Sequence, residues 1–159
     1  MEFAPSQRQI GILRKTRKFV EREVTPSADH WDKGSRFPIE AWRILAKQGL
    51  TGIPIPRKYG GGGQDVVSYI MAVEEISKGS ASLGVTLAVH VSLVSQPLLW
   101  FGTEKQKVRY LRPLAQGKKL GSFCLTEPMA GSDVAAMQSE VYLLKLANAT
   151  VRACTVTGR

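Results

Sequence analysis

Apolar residues recur at helical intervals through most of this chain. After Ser6 they fall at Ile10, Leu13, Val20 and Val24, and Ser6 with Gln9 has the form of a capping box, so a first helix is predicted from Ser6 to about Pro26. Pro38, whose fixed φ suits a first turn, opens a second helix through Trp42 and Leu45 to a stop at Gly49. Residues 51–59 carry spaced apolar residues between prolines and read as an extended connection. The glycines at 60–63 then read as a flexible turn between helices rather than a phosphate loop, since no strong strand precedes them and no Lys followed by Ser or Thr comes after. Asp65 caps a third helix in which Val66, Ile70, Val73 and Ile76 share a face and Glu74 pairs with Lys78.

Residues 83–93 are ambiguous. Leu83, Val85, Leu87, Val89, Val91 and Leu93 alternate with smaller or polar residues, which is the period of a strand. The run is nevertheless longer than a usual strand, and a helix apolar on most sides is a sign of complete burial. Beyond it, Thr103 and Gln106 form another capping box, with Val108, Leu111 and Ala115 at helical spacing until Pro113 weakens the helix and Gly117 ends it. Residues 120–126 are predicted as the first strand, and mark the passage from a helical domain to a β domain.

The segment 123–136, FCLTEPMAGSDVAA, carries the candidate chemistry. An apolar run ending in Thr126 meets Pro128, which blocks its continuation, and Ala130, Gly131, Ser132 and Asp133 supply small residues and hydrogen-bonding oxygens. Backbone N–H groups are thereby offered to a ligand.

CLTEPMAGSDVAA closely resembles the flavin-binding signature of the acyl-CoA dehydrogenases. FPIEAWRILAKQGLTGIPIPRKYGGGG, AVEEISKGSASLGV and FGTEKQKVRYLRPLAQGKK resemble the same family's amino-terminal half, in order and in spacing, as far as Gln138. The resemblance requires residues 83–93 to be part of a long buried helix continuing toward Trp100, and helix is the assignment taken here. It implies a mainly α fold: a helical-bundle amino-terminal domain over residues 1–118, then the first strands of an incomplete β domain over residues 119–159, divergent after 138.

The resemblance also implies FAD, an acyl-CoA thioester substrate, and removal of hydrogens from its α and β carbons. Phe123, Leu125, Thr126, Gly131 and Ser132 are the implied cofactor-binding residues. Thr126 is placed near the reactive edge of the flavin, Ser132 at the pyrophosphate and near the CoA moiety, and Gly131 where only a bare backbone leaves room. Val85, Leu87, Ala88 and Val91 border an acyl-chain cavity by the same analogy. No residue is assigned as catalytic. The family's glutamate base belongs to a carboxy-terminal helical domain that this chain does not contain, so Glu127 and Asp133 are expected to brace the turn. Little turnover and weak FAD retention are expected from this chain alone. In the intact family an electron-transferring flavoprotein takes the electrons, and the assembly is a homotetramer.

Other features bear less on function. The net charge of +9, from 22 basic and 13 acidic residues, suggests a polyanion partner, but Arg8, Arg14, Lys15, Lys18 and Arg22 spread over one amphipathic helix and Lys105, Lys107, Arg109 and Arg112 over another. No nucleic-acid partner is expected. Polar residues interrupt every apolar run, so no membrane span is expected, and the first residues lack the character of a leader. Only Cys124 and Cys154 are present, which suits a reducing cytoplasm. His90 is read as a satisfied core histidine and His30 as lying at a helix end, neither with metal-ligand company. The tail after Gln138 is either a diverged β segment, with alternation over residues 151–157, or the product of a reading-frame change. Two rivals share the residues: an acyl-CoA oxidase or related flavin monooxygenase, and a non-catalytic helical interaction module.

Overall fold

The computed structural model describes residues 4–146 and 149–155. The leader reading rests in part on residues 1–3, and the alternating run 151–157 ends on residues 156–157; these positions lie outside the described residues. The chain divides into two units, Met1–Phe123 and Cys124–Arg159.

The first unit is helical. α1 (Gln7–Phe19) begins at Ser6, whose hydroxyl accepts the Gln9 N–H while the Gln9 side chain accepts the Ser6 N–H. Both halves of the capping box are thus made. The helix continues as a π-helical turn, Val20–Val24, with the Thr25 N–H reaching back to the Val20 carbonyl at 2.9 Å. α2 (Ala28–Lys33) buries no residue, which is why no apolar period announced it, and it carries His30 in its last turn. α3 (Ile39–Lys47) buries Ala41, Trp42 and Leu45 and stops at Gly49, whose φ of 71° is left-handed.

Residues 51–59 are not extended. Leu50–Gly52 and Arg57–Tyr59 are 3-10 turns, and Thr51, Ile53, Ile55 and Tyr59 are buried. The glycines beyond them are folded back: Gly62 N–H donates to the Gly52 carbonyl at 2.8 Å and Gly63 N–H to that of Ile55 at 2.9 Å. Their donors are therefore spent on the chain's own backbone.

α4 (Val66–Gly79) starts at Asp65, whose carboxylate accepts the Ser68 N–H at 2.7 Å. Its buried face is Ser68, Tyr69, Ala72, Glu75 and Ile76, whereas Val66 and Ile70 are more than half exposed. The expected stripe of Val66, Ile70, Val73 and Ile76 is thus corrected. α4 packs between α1 and the following helix, and Arg17 of α1 neutralises Glu75, so a polar residue takes the inner face while apolar ones remain outside.

Ala81–Phe101 is one helical run. It comprises α5 (Ala81–Val89), a π-helical turn (His90–Ser95) and α6 (Gln96–Phe101), so the strand-like alternation of residues 83–93 is overridden by burial. Gly84 permits the crossing of α5 on α4, since a Cβ there would lie 2.0 Å from the Ser77 hydroxyl. By length and composition the run is apolar enough to cross a membrane, at 21 residues and mean hydropathy 1.4. Its fully buried Leu83, Leu87 and Val91 belong to the same core cluster as Phe19, Trp42, Leu45 and Ile76.

α7 (Glu104–Gln106) has the expected Thr103–Gln106 capping box and passes through a π-helical turn, Lys107–Leu111, into α8 (Arg112–Ala115). Leu111 and Ala115 are buried with Ile55 and Tyr59, but Val108 faces outward. Gly117, at φ 65°, turns the chain away.

Residues 120–126 are not a strand. Among the described residues their backbone makes no hydrogen bond to another backbone group, and a strand exists only with a neighbour to pair with; the apolar run ending in Thr126 supplies the side chains but not the partner. In the second unit the regular backbone is a two-stranded antiparallel pair, β1 (Glu140–Leu146) with β2 (Ala149–Thr155), in which Glu140 lies opposite Thr155 and Leu146 opposite Ala149.

Candidate functional site

Pro128 removes an N–H and fixes φ, so the chain at Glu127 must turn. Glu127 and Ala130 close that turn reciprocally: the Glu127 N–H donates to the Ala130 carbonyl at 3.0 Å, and the Ala130 N–H to that of Glu127 at 3.1 Å. Ala130 is buried and Met129, at the tip, is exposed.

The Glu127 side chain braces the turn from the far side. Its two carboxylate oxygens accept the N–H groups of Gln138, at 2.7 Å, and Ser139, at 3.1 Å. Hydrogen bonding from Ser139 and from the Gln138 amide holds this carboxyl below its ordinary range, so it is an anion with both oxygens engaged. Asp133 plays a local part, its carboxylate accepting the Ala135 N–H at 3.1 Å at the start of the 3-10 turn Val134–Ala136. Glu127 thus has both carboxylate oxygens engaged and Asp133 one.

The residues singled out for ligand binding in this unit are left uncommitted. Thr126, Gly131 and Ser132 are exposed and Leu125 is partly covered. The N–H groups of Thr126, Gly131 and Ser132, and the hydroxyls of Thr126 and Ser132, donate to no acceptor among the described residues. Gly131 is informative because nothing among the described residues demands it. It has no left-handed φ, and a Cβ built there meets no atom within 4 Å. A glycine required neither by conformation nor by neighbouring protein atoms fits a surface that a cofactor backbone approaches closely.

In the helical unit, Phe123 is 47% exposed. Of the residues expected to border an acyl cavity, Leu87 and Val91 are fully buried in the core, and Val85 and Ala88 lie toward the outer face. A cleft of about 600 Å³ in this unit is lined by Trp31, Asp32, Ser35, Arg36, Phe37 and Ser82, among others, and by none of the predicted site residues.

Sequence reasoning passed over the partners of His90. The side chain is completely buried, with its ring edge-on to Trp42 at a centroid distance of 4.8 Å. Nδ1 accepts the Gly121 N–H at 3.0 Å, which leaves Nε2 to carry the proton and donate to the Leu114 carbonyl at 3.1 Å. The expected satisfied core histidine is present. Burial pushes its pKa down, with the Leu114 hydrogen bond opposing, so it is neutral.

Residues 6–118 match the model of the acyl-CoA dehydrogenase amino-terminal domain. An acyl-CoA dehydrogenase of Bacillus subtilis is 45% identical over 134 residues, covering 84% of this chain and 35% of the relative. Among solved structures, butyryl-CoA dehydrogenase from Megasphaera elsdenii superposes with a TM-score of 0.85 at 40% identity, over 89% of this chain and 38% of that one. A chain from the structure of the electron transferring flavoprotein of Acidaminococcus fermentans, described in connection with flavin-based electron bifurcation, gives a TM-score of 0.89 at 39% identity, over 96% of this chain and 40% of that one. The chain thus spans little more than a third of the length of the relatives it matches.

Proposed function

This chain belongs to the acyl-CoA dehydrogenase family, and from that premise we propose that it contributes to an FAD-dependent enzyme that removes the α and β hydrogens of an acyl-CoA thioester. Residues 1–118 are its helical amino-terminal domain, and residues 119–159 open the middle β domain that holds the flavin. The observation that carries the reading is the turn around Gly131, where exposed donors engage no protein acceptor among the described residues and the glycine answers no internal demand.

FAD, when bound, supplies the acceptor for the hydride that leaves the β carbon. Thr126 offers its hydroxyl and amide to the reactive edge of the ring, where preorganised donors stabilise developing negative charge. Phe123 and Leu125 would each offer apolar contact to the ring, Gly131 would leave its backbone open to the pyrophosphate, and Ser132 would donate to it and to the CoA moiety. Glu127 is not the base for the α proton, because both of its oxygens are already held by N–H groups. That proton acceptor belongs to the part of the family's length beyond the matched third. Acyl-CoA as substrate, an electron-transferring flavoprotein as acceptor, a homotetramer and a cytoplasmic setting complete the reading.

Titrating the protein into FAD and following flavin fluorescence tests it. Weak, saturable binding that Thr126→Ala and Ser132→Ala both reduce is the expected result, with no bleaching of the flavin by a short-chain acyl-CoA. Absence of binding at large protein excess overturns the flavin role, and bleaching overturns the exclusion of Glu127 as the base.

A further inference from the structure

We infer that His90 is the positioning residue for the stretch of chain that leads to the flavin turn, acting through the main-chain N–H of Gly121. The geometry is independent of the flavin reading; the functional consequence rests on it.

Residues 120–126 leave α8 after Gly117 without regular structure. Among the described residues, the hydrogen bond from Gly121 N–H to His90 Nδ1 is the only one made by the backbone of that stretch. Packing reinforces it. Gly121 lies so close to Val94, on the same π-helical turn as His90, that a Cβ would approach Val94 Cγ1 to 2.7 Å. The chain is therefore pinned to the His90–Ser95 turn by one directed bond and one close contact.

The imidazole is a rigid anchor. It is fully buried, edge-on to Trp42, and its other nitrogen donates to the Leu114 carbonyl, which also receives the Gly117 N–H at 2.8 Å. One ring thus grips the last turn of α8 before the left-handed Gly117 and the backbone just after it. The distance from Leu114 to Gly121 is fixed on both sides of the turn. Phe123 follows two residues later in the same unit, so an error at Gly121 is carried along the sequence into the flavin contact proposed for Phe123.

Two substitutions separate positioning from packing, because Gln places an amide near Nε2 and Asn places one near Nδ1. His90→Gln keeps the donor to Leu114 and loses the acceptor for Gly121; His90→Asn does the reverse. In the 159-residue protein, amide hydrogen exchange at Gly121 is expected to accelerate in His90→Gln and to stay near wild type in His90→Asn. FAD affinity is expected to fall roughly tenfold in the first relative to the second, the share of one neutral hydrogen bond. Unchanged Gly121 exchange in His90→Gln, or equal FAD affinity in the two variants, overturns the inference. Should both variants fail to fold, the imidazole nitrogen resonances of the wild type decide: an unprotonated Nδ1 and protonated Nε2 support it, and a protonated Nδ1 overturns it. If the wild type binds no FAD at all, the flavin reading falls while Gly121 exchange still decides the role of His90.

Discussion

Arg17 of α1 holds the carboxylate of Glu75 of α4 with two donors, Nε at 2.8 Å and an Nη at 3.3 Å, and the Glu75 side chain is only 7% exposed while the arginine is half exposed. Lys78 adds a third donor at 3.2 Å. An acid is thus placed inside the bundle with its charge met from the rim.

The Arg17 hydrogen bond, opposed by burial and supported by Lys78, keeps the Glu75 carboxyl below its ordinary 4.5. A lowered acid contributes stability that is fully present above the unfolded value and is lost as pH falls through the folded one. Urea unfolding of Arg17→Ala against wild type should therefore show a destabilised variant at neutral pH and a difference that shrinks as Glu75 protonates. A difference that stays constant into acid would show that Arg17 acts by packing its stem alone.

His90 predicts a second, separate pH window. Its folded pKa lies below the ordinary 6.5, so the unfolded chain takes up a proton first. Stability from the neutral imidazole is complete above about 6.5 and declines as pH falls below it toward the folded pKa. Its ring meets Trp42 and the backbone of Leu114 and Gly121, with no charged group among its hydrogen-bond partners. Denaturation midpoints measured in small steps from neutral pH to mildly acid should fall in wild type and flatten in His90→Asn.

The two sides of α5 should respond differently to the same kind of change. Leu87 is fully buried and Val85 is 60% exposed. Leu87→Ala is expected to cost about 2–5 kcal/mol, and Val85→Ala to stay within roughly 0.5 kcal/mol. Equal losses in chemical denaturation would contradict the placement of this helix.

Gly117 and Gly131 give the sharpest pair. A Cβ at Gly117 would lie 2.3 Å from the Ala46 Cβ at a left-handed φ, whereas one at Gly131 meets nothing. Gly117→Ala should lower thermal stability by more than about 1 kcal/mol. Gly131→Ala should leave stability unchanged and weaken FAD binding. Loss of fold in Gly131→Ala would show that the glycine serves the protein itself.

Much of the helical unit was legible because its signals are local. Ser6 with Gln9, Thr103 with Gln106, Asp65 with Ser68 and the stop at Gly49 each act within a few residues, and each is present. What failed depends on neighbours in space. The inner face of α4 is decided by α1 and α5, so Val66 and Ile70 fall outside despite their character. Residues 120–126 carry strand-compatible side chains but have no strand beside them among the described residues, and α2 has no fully buried residue to signal it. At the candidate site, the turn at Pro128 could be read from residue types, and the bracing by Glu127 and Asp133 followed from the family resemblance. The link from His90 to Leu114 and Gly121 could not, since 24 and 31 residues separate the partners.

The π-helical turn at His90–Ser95 bears on how this helix can vary in length. Such a turn winds one residue more into nearly the same advance as an α turn, with the Gln96 N–H reaching back five residues to the Val91 carbonyl. It is a spare residue stored within the helix. Deleting one of Ser92 or Leu93 should let the turn tighten to α geometry while α5 and α6 keep their phase, whereas a deletion within α5 would rotate everything after it by about 100°. The helix therefore carries a slot where a residue can be lost or gained between sequences while the buried faces before and after it stay in register.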